Sequence, residues 1–134
     1  MSKPDIILVA GPYRSGTGDD PEKISANLAT LEKAALEVWQ KGHIPLIGEW
    51  VALPLMSQTG HWTIGDKIFE SLAYPVAERL LSRCDAVLRL PGESRGADQD
   101  VALARKRNLP VYRSIEEIPS LAGTLAAETN ETND

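Results

Sequence analysis

The chain is poor in the residues that build cross-links, metal centres and aromatic cores: its 134 residues include one cysteine, two histidines and one phenylalanine. A lone Cys84 excludes an internal disulfide, and its place directly before an apolar stretch points to a buried thiol. His43 and His61 stand at no ligand spacing with each other or with Cys84, so no metal site is expected and both read as solvated or structural. No run of apolar residues is long enough to span a bilayer, and the amino terminus does not read as a secretory leader. The expectation is a cytoplasmic protein without a membrane partner. Basic residues are outnumbered, 14 against 19 acidic, for a net charge of −5. That balance excludes a broad nucleic-acid surface, which needs a basic footprint. The one tight basic cluster, Arg105-Lys106-Arg107, suits the last turn of a helix. No Walker-type G-x-x-x-x-G-K-[ST] loop occurs either.

What is present is an alternation of short apolar runs and longer amphipathic ones. Asp5 to Ala10 reads as a strand, and Pro21 to Lys41 as a helix with Asp19 or Asp20 as cap, Pro21 in the first turn and Gly42 at the end. Ile44 to Ile47 reads as a short strand, because Pro45 interrupts it. Gly48 to Asp66, with Trp50, Met56, His61 and Trp62, has no clean periodicity and reads as a long loop or short helical piece. A helix from Tyr74 to Arg83, a strand over Asp85 to Leu90, a helix to Arg107, a strand at Val111-Tyr112 and a short helix from Ile115 to Leu121 complete the pattern. Such alternation predicts an α/β fold: one small, doubly wound, flavodoxin- or Rossmann-like parallel sheet of four to five strands with helices on both faces. One domain over residues 1–122 is expected, followed by a polar, acidic, aromatic-free tail over 123–134 that should be disordered.

The densest chemistry lies between Cys84 and Tyr112. There a strand ends at Pro91-Gly92, and a helix starts near Ser94 or Gly96. Helical spacing puts Asp100 on the small apolar face with Ala97, Val101 and Ala104, whereas Asp98 falls on the outer side with Ala102 and Arg105. Acidic residues are favoured early in helices by the exposed amides. An inward carboxylate just past the carboxyl end of a parallel strand, however, lies where open α/β sheets bind ligands. Such a group can attack a sugar or offset an oxocarbenium-like charge.

Ser94-Arg95-Gly96-Ala97-Asp98-Gln99-Asp100-Val101-Ala102-Leu103-Ala104 resembles the (S/D)-x-G-x-x-x-E-x-x-x-A signature of the nucleoside 2-deoxyribosyltransferase-like superfamily. Ile6 to Arg14 resembles that family's first strand and Gly-Pro-aromatic substrate loop. Asn27 and Gly42-His43-Ile44-Pro45 resemble two further family features, and the likeness extends over roughly residues 5 to 118. Within that superfamily the chain looks like the small bacterial and phage domains and resembles the 2′-deoxynucleoside 5′-phosphate N-hydrolases.

The resemblance implies cleavage or transfer at the N-glycosidic bond of a nucleoside or, with some preference, a 5′-monophosphate, needing no cofactor or metal. Asp100 would be the nucleophile and Tyr13 would orient it. Gly11, Pro12, Arg14, Asn27, Ser94 and Gly96 would bind substrate. Ser94 carries the monophosphate preference, since members acting on free nucleosides tend to have Asp there and an anion near phosphate is repelled. Arg14 to Gly18 add a cation and a flexible polar loop as a second phosphate contact.

Two departures stand out. Asp replaces the family Glu and is shorter by about 1.5 Å, and a misplacement of that order costs roughly 100-fold in rate. A second family carboxylate would fall by spacing on Ala77, with Glu78 beside it. Related domains assemble into dimers or larger oligomers, and the apolar residues from Val51 to Met56 would suit a homodimer contact. The shorter side chain supports one rival, a catalytically silent nucleotide-binding or sensing domain, and the Trp50 to Trp62 segment a second, a protein-interaction domain on the same fold.

Overall fold

The computed structural model describes residues 3–60 and 67–121, the side chains of 67–70 excepted. His61, Trp62 and the acidic tail lie outside the described residues. The elements are β1 (Ile6–Ala10), α1 (Pro21–Gln40), β2 (Ile44–Leu46), α2 (Gly48–Thr59), α3 (Lys67–Leu81), β3 (Ala86–Arg89), α4 (Arg95–Lys106) and β4 (Val111–Tyr112). A short 3-10 turn at Ile115–Glu117 follows, where a longer helix was expected. The four strands form one all-parallel sheet in the order β2-β1-β3-β4.

Alternating side chains of the central strands divide the core into two layers. Ile7, Val9, Ala86 and Leu88 pack with Leu31, Ala34, Ala35 and Val38 of α1. Leu8, Ala10 and Val87 face Leu81 of α3 and Ala97 and Ala104 of α4. All four residues of β3 are buried, as expected of a parallel strand covered on both sides. The α1 start is as expected: Asp20 accepts from the Glu22 amide, and Pro21 opens the helix, where a missing N–H costs nothing.

After β2 the helical alternative holds, since Gly48–Thr59 is a helix with Pro54 inside. The next helix departs from expectation: α3 starts at Lys67 rather than at Tyr74, with Pro75 inside. The two helices share a small core in which Ala52 and Met56 are buried against Leu72, Ala73, Val76 and Tyr13. Their packing outweighs the hydrogen bond that each internal proline forfeits.

His43 is buried and structural. Its Nδ1 accepts from the Asp5 amide at 3.1 Å and its Nε2 donates to the Pro119 carbonyl at 2.7 Å, which requires the Nε2–H tautomer. Lys41 reinforces the same seam by donating to the Ile118 carbonyl at 2.7 Å. The imidazole therefore joins the start of β1 to the segment after β4. His43→Ala should lower stability by roughly 1–3 kcal/mol through the buried groups it leaves unpaired. Urea unfolding measures this, and an unchanged midpoint would remove His43 from that role.

Candidate functional site

The order β2-β1-β3-β4 sends the connections from β1 and β3 to opposite faces of the sheet, so a crevice opens between their carboxyl ends. A cavity of about 430 Å³ occupies it. Its walls come from the β1–α1 loop, the first turn of α2, the middle of α3 and the start of α4.

Ser94 is the N-cap of α4, its hydroxyl accepting from the Ala97 amide at 3.1 Å. That bond uses an acceptor and leaves the hydroxyl proton for another partner. Gly96 follows in the first turn, and a Cβ there would lie 3.4 Å from the Tyr74 ring. Further in, Asp100 shares its helix face with the buried Ala97, Val101 and Ala104 and lines the cavity. Burial in this apolar wall raises its carboxyl to about 7. The Glu49 charge adds to the rise, and the Arg89 guanidinium opposes it.

Arg89, at the end of β3, is itself buried. It donates to the carbonyls of Leu90 and Gly92 and to Asp98 Oδ1, the last at 2.9 Å. Asp98, expected on the outer face, thus has an exposed carboxylate that reaches back to a buried cation. Gly92 explains why the preceding loop keeps its shape. Its φ is +113°, and a Cβ would come 2.8 Å from Pro12 Cγ. The loops after β1 and β3 therefore interlock behind the cavity.

On the β1 side, Gly11, Tyr13, Arg14, Ser15, Gly18 and Asp19 line the cavity. The loop expected to be flexible carries its own internal bonds. Thr17 is buried, its hydroxyl donates to the Arg14 carbonyl and accepts from the Asp19 amide, and Arg14 Nη2 lies 3.3 Å from Asp19 Oδ1. The Arg14 charge is consequently shared with Asp19. Tyr13 is held neutral by burial and by the Glu49 charge, with Arg14 opposing, so its phenol is a donor.

The structure brings together Asp100, Tyr13, Gly11, Arg14, Ser94 and Gly96, but not Pro12 or Asn27. Those two lie along a second, smaller hollow with Leu31, Lys33 and Glu37. Asn27 donates to the Tyr13 carbonyl at 2.8 Å, so it holds the loop instead of facing the cavity. Ala77 lines the cavity, whereas Glu78 is exposed and does not. Trp50 is exposed on α2 and donates to Glu32 Oε2 at 2.8 Å, and it does not line the cavity.

Sequence reasoning missed Glu49 and Arg95, both lining residues, and Arg89 beneath them. The signal for Glu49 was its place two residues after Ile47, at the same edge of the sheet as Tyr13 and Ser94. Cys84, buried with its thiol pushed up to about 11 by desolvation and then by Asp85 and Asp100, is no nucleophile. Among the described residues no group of His, Cys, Asp or Glu could hold a metal, and no helix is long and apolar enough to cross a membrane. Compared with family models, curated proteins and solved structures, the chain matches none.

The raised Asp100 carboxyl has a thermodynamic consequence. The folded protein keeps a proton that the unfolded chain releases above its ordinary value of 3.8, so stability is lost as pH rises from there toward 7. Asp100→Asn removes that penalty. The variant should match the wild type near pH 4, gain steadily to pH 7, and plateau on the order of 2–4 kcal/mol more stable. Urea unfolding across this range checks the sign, and a constant difference would contradict it.

Proposed function

We propose that this domain cleaves or transfers the N-glycosidic bond of a nucleoside or nucleoside 5′-monophosphate, with Asp100 as the nucleophile toward the anomeric carbon. The observation that carries the reading is a carboxylate with near-neutral proton affinity on the wall of the β1/β3 crevice. A cavity of about 430 Å³ falls in the size range of small-molecule sites. The resemblance of residues 94–104 and of the Gly11-Pro12-Tyr13 loop supplies the substrate class.

In this reading Tyr13 donates toward the sugar or the carboxylate. The α4 amides near Gly96, the Ser94 hydroxyl, Arg14 and Arg95 hold sugar oxygens or phosphate. The cavity wall also carries Asp19, Glu49, Glu93 and Asp100. A phosphate is therefore best accommodated at the two arginines and the helix start, with the sugar toward Asp100. Water or a second base then displaces the sugar from Asp100.

A nucleotide-binding domain without turnover is the second reading. It is favoured by the short Asp side chain at position 100. Incubation with ribo- and deoxyribonucleosides and their monophosphates, followed by chromatography for free base, separates the two. Release from at least one compound is expected, with a loss of at least 100-fold in Asp100→Ala. Binding without release would sink the enzymatic reading.

We also propose self-association through α2, where Val51 and Leu55 stand exposed beside Trp50 while Ala52 and Met56 are buried. Sedimentation should give at least a dimer, and Leu55→Lys should shift it toward monomer. A wild-type monomer at working concentration would refute it.

A further inference from the structure

Glu49 is a carboxylate on an otherwise apolar face. In α2 it stands three residues before Ala52 and seven before Met56, which are 2 % and 0 % exposed, so it continues the buried stripe of that helix. Asp100 does the same in α4, between Ala97 and Val101. Two helices on opposite sides of the β1 end thus each turn one carboxylate inward, and both line the same cavity. Trp50, the next residue, points the other way and is tied to Glu32 of α1 at 2.8 Å, which fixes the rotation of the first turn.

A first-turn acid is ordinarily explained by the helix amides, which stabilise its charge. Here the α2 N-cap, Ile47, makes no side-chain cap bond. Burial raises the Glu49 carboxyl despite a bond from its own amide, and Glu49 in turn raises Asp100. Other charges face this pair. The β1–α1 loop supplies Tyr13, Arg14 and Asp19, the β3–α4 loop Glu93, and the first residue of α4 Arg95. Tyr74 faces it from α3, Arg89 from β3, and the neutral Cys84 thiol lies near Asp100. The nearest cation in effect, Arg89, is already engaged by Asp98 and two carbonyls. Two carboxylates turned inward to one cavity raise each other's proton affinity, so the pair holds one proton more readily than none.

Resting on the glycosidic-bond reading above, we infer that Glu49 is the general acid and base of the site, sharing one proton with the nucleophile Asp100 across the cavity. In the productive arrangement Asp100 is ionised and Glu49 carries the proton. As an Asp100 oxygen bonds to the anomeric carbon, the carbon–nitrogen bond breaks, its electron pair stays with the base nitrogen, and the Glu49 proton neutralises it. Water then attacks the same carbon, its proton goes to Glu49, and the carbon–oxygen bond to Asp100 breaks. Glu49 thus does the work of the second carboxylate that sequence spacing placed at Ala77.

The test uses the panel compound that the wild type cleaves fastest. Wild-type base release should be bell-shaped in pH, because only the singly protonated pair is active. Glu49→Gln should lower the rate at least 100-fold and abolish the alkaline limb, while its far-ultraviolet circular dichroism stays native. Formate should restore at least tenfold of the activity lost in Glu49→Ala. Independently of turnover, the Asp100 carboxyl carbon in NMR titration should show a lower midpoint in Glu49→Gln, since a neighbouring charge is gone. Full rate and an intact alkaline limb in Glu49→Gln, or an unmoved Asp100 midpoint, would overturn the role of Glu49 while leaving the glycosidase reading intact. No base release by wild-type protein from any compound would overturn both.

Discussion

Everything at the candidate site depends on one topological constraint, the adjacency of β1 and β3 in a sheet where their helices leave to opposite faces. The register holds Ile7 beside Ala86 and Ala10 beside Arg89, so both strands end at the same level. Their loops must diverge there, and the space between them cannot be filled by either helix. Burial of both strands makes the arrangement rigid, since no residue of β3 is exposed. The crevice is therefore a product of the fold, and the side chains at its rim decide its chemistry.

Those side chains are arranged to be poorly solvated. Arg89 is spent on clamping the loop that carries Ser94 and on Asp98, so its charge reaches Asp100 only as a partial offset. Small residues keep the walls close: Ala97 and Ala104 are 3 % and 0 % exposed and let α4 lie against the sheet. That closeness strips water from Asp100 and raises its proton affinity.

The outer pattern of the fold was legible because its signals are local. Asp20-Pro21 opens α1, Ser94 caps α4, and the short apolar runs of β1 and β3 stop at Gly11-Pro12 and Pro91-Gly92. The α2–α3 pair was only partly legible, because the sequence from Gly48 has no clean periodicity and the turns of α3 before Tyr74 carry no start signal, so tertiary packing decides both helices in spite of Pro54 and Pro75. The missing periodicity hid Glu49: without it no face could be assigned, and only the helix reveals that Glu49 shares one with Ala52 and Met56. Asp100 was legible for the opposite reason, since its helix has a clear apolar stripe on which one acid stands out. Asn27 shows the limit of motif reading: the right residue type sits beside the loop, and its amide supports the Tyr13 backbone from behind.

The most direct test of the account is to trap the sugar on the enzyme. A 2′-deoxy-2′-fluoro nucleoside or its monophosphate slows the second step, and acid quenching followed by tryptic mass spectrometry locates any adduct. The account expects one glycosyl group on the peptide spanning residues 96–105, fragmenting to Asp100, and none in Asp100→Ala. Base release without an adduct on that peptide, or an adduct on another carboxylate such as Glu49, would contradict it.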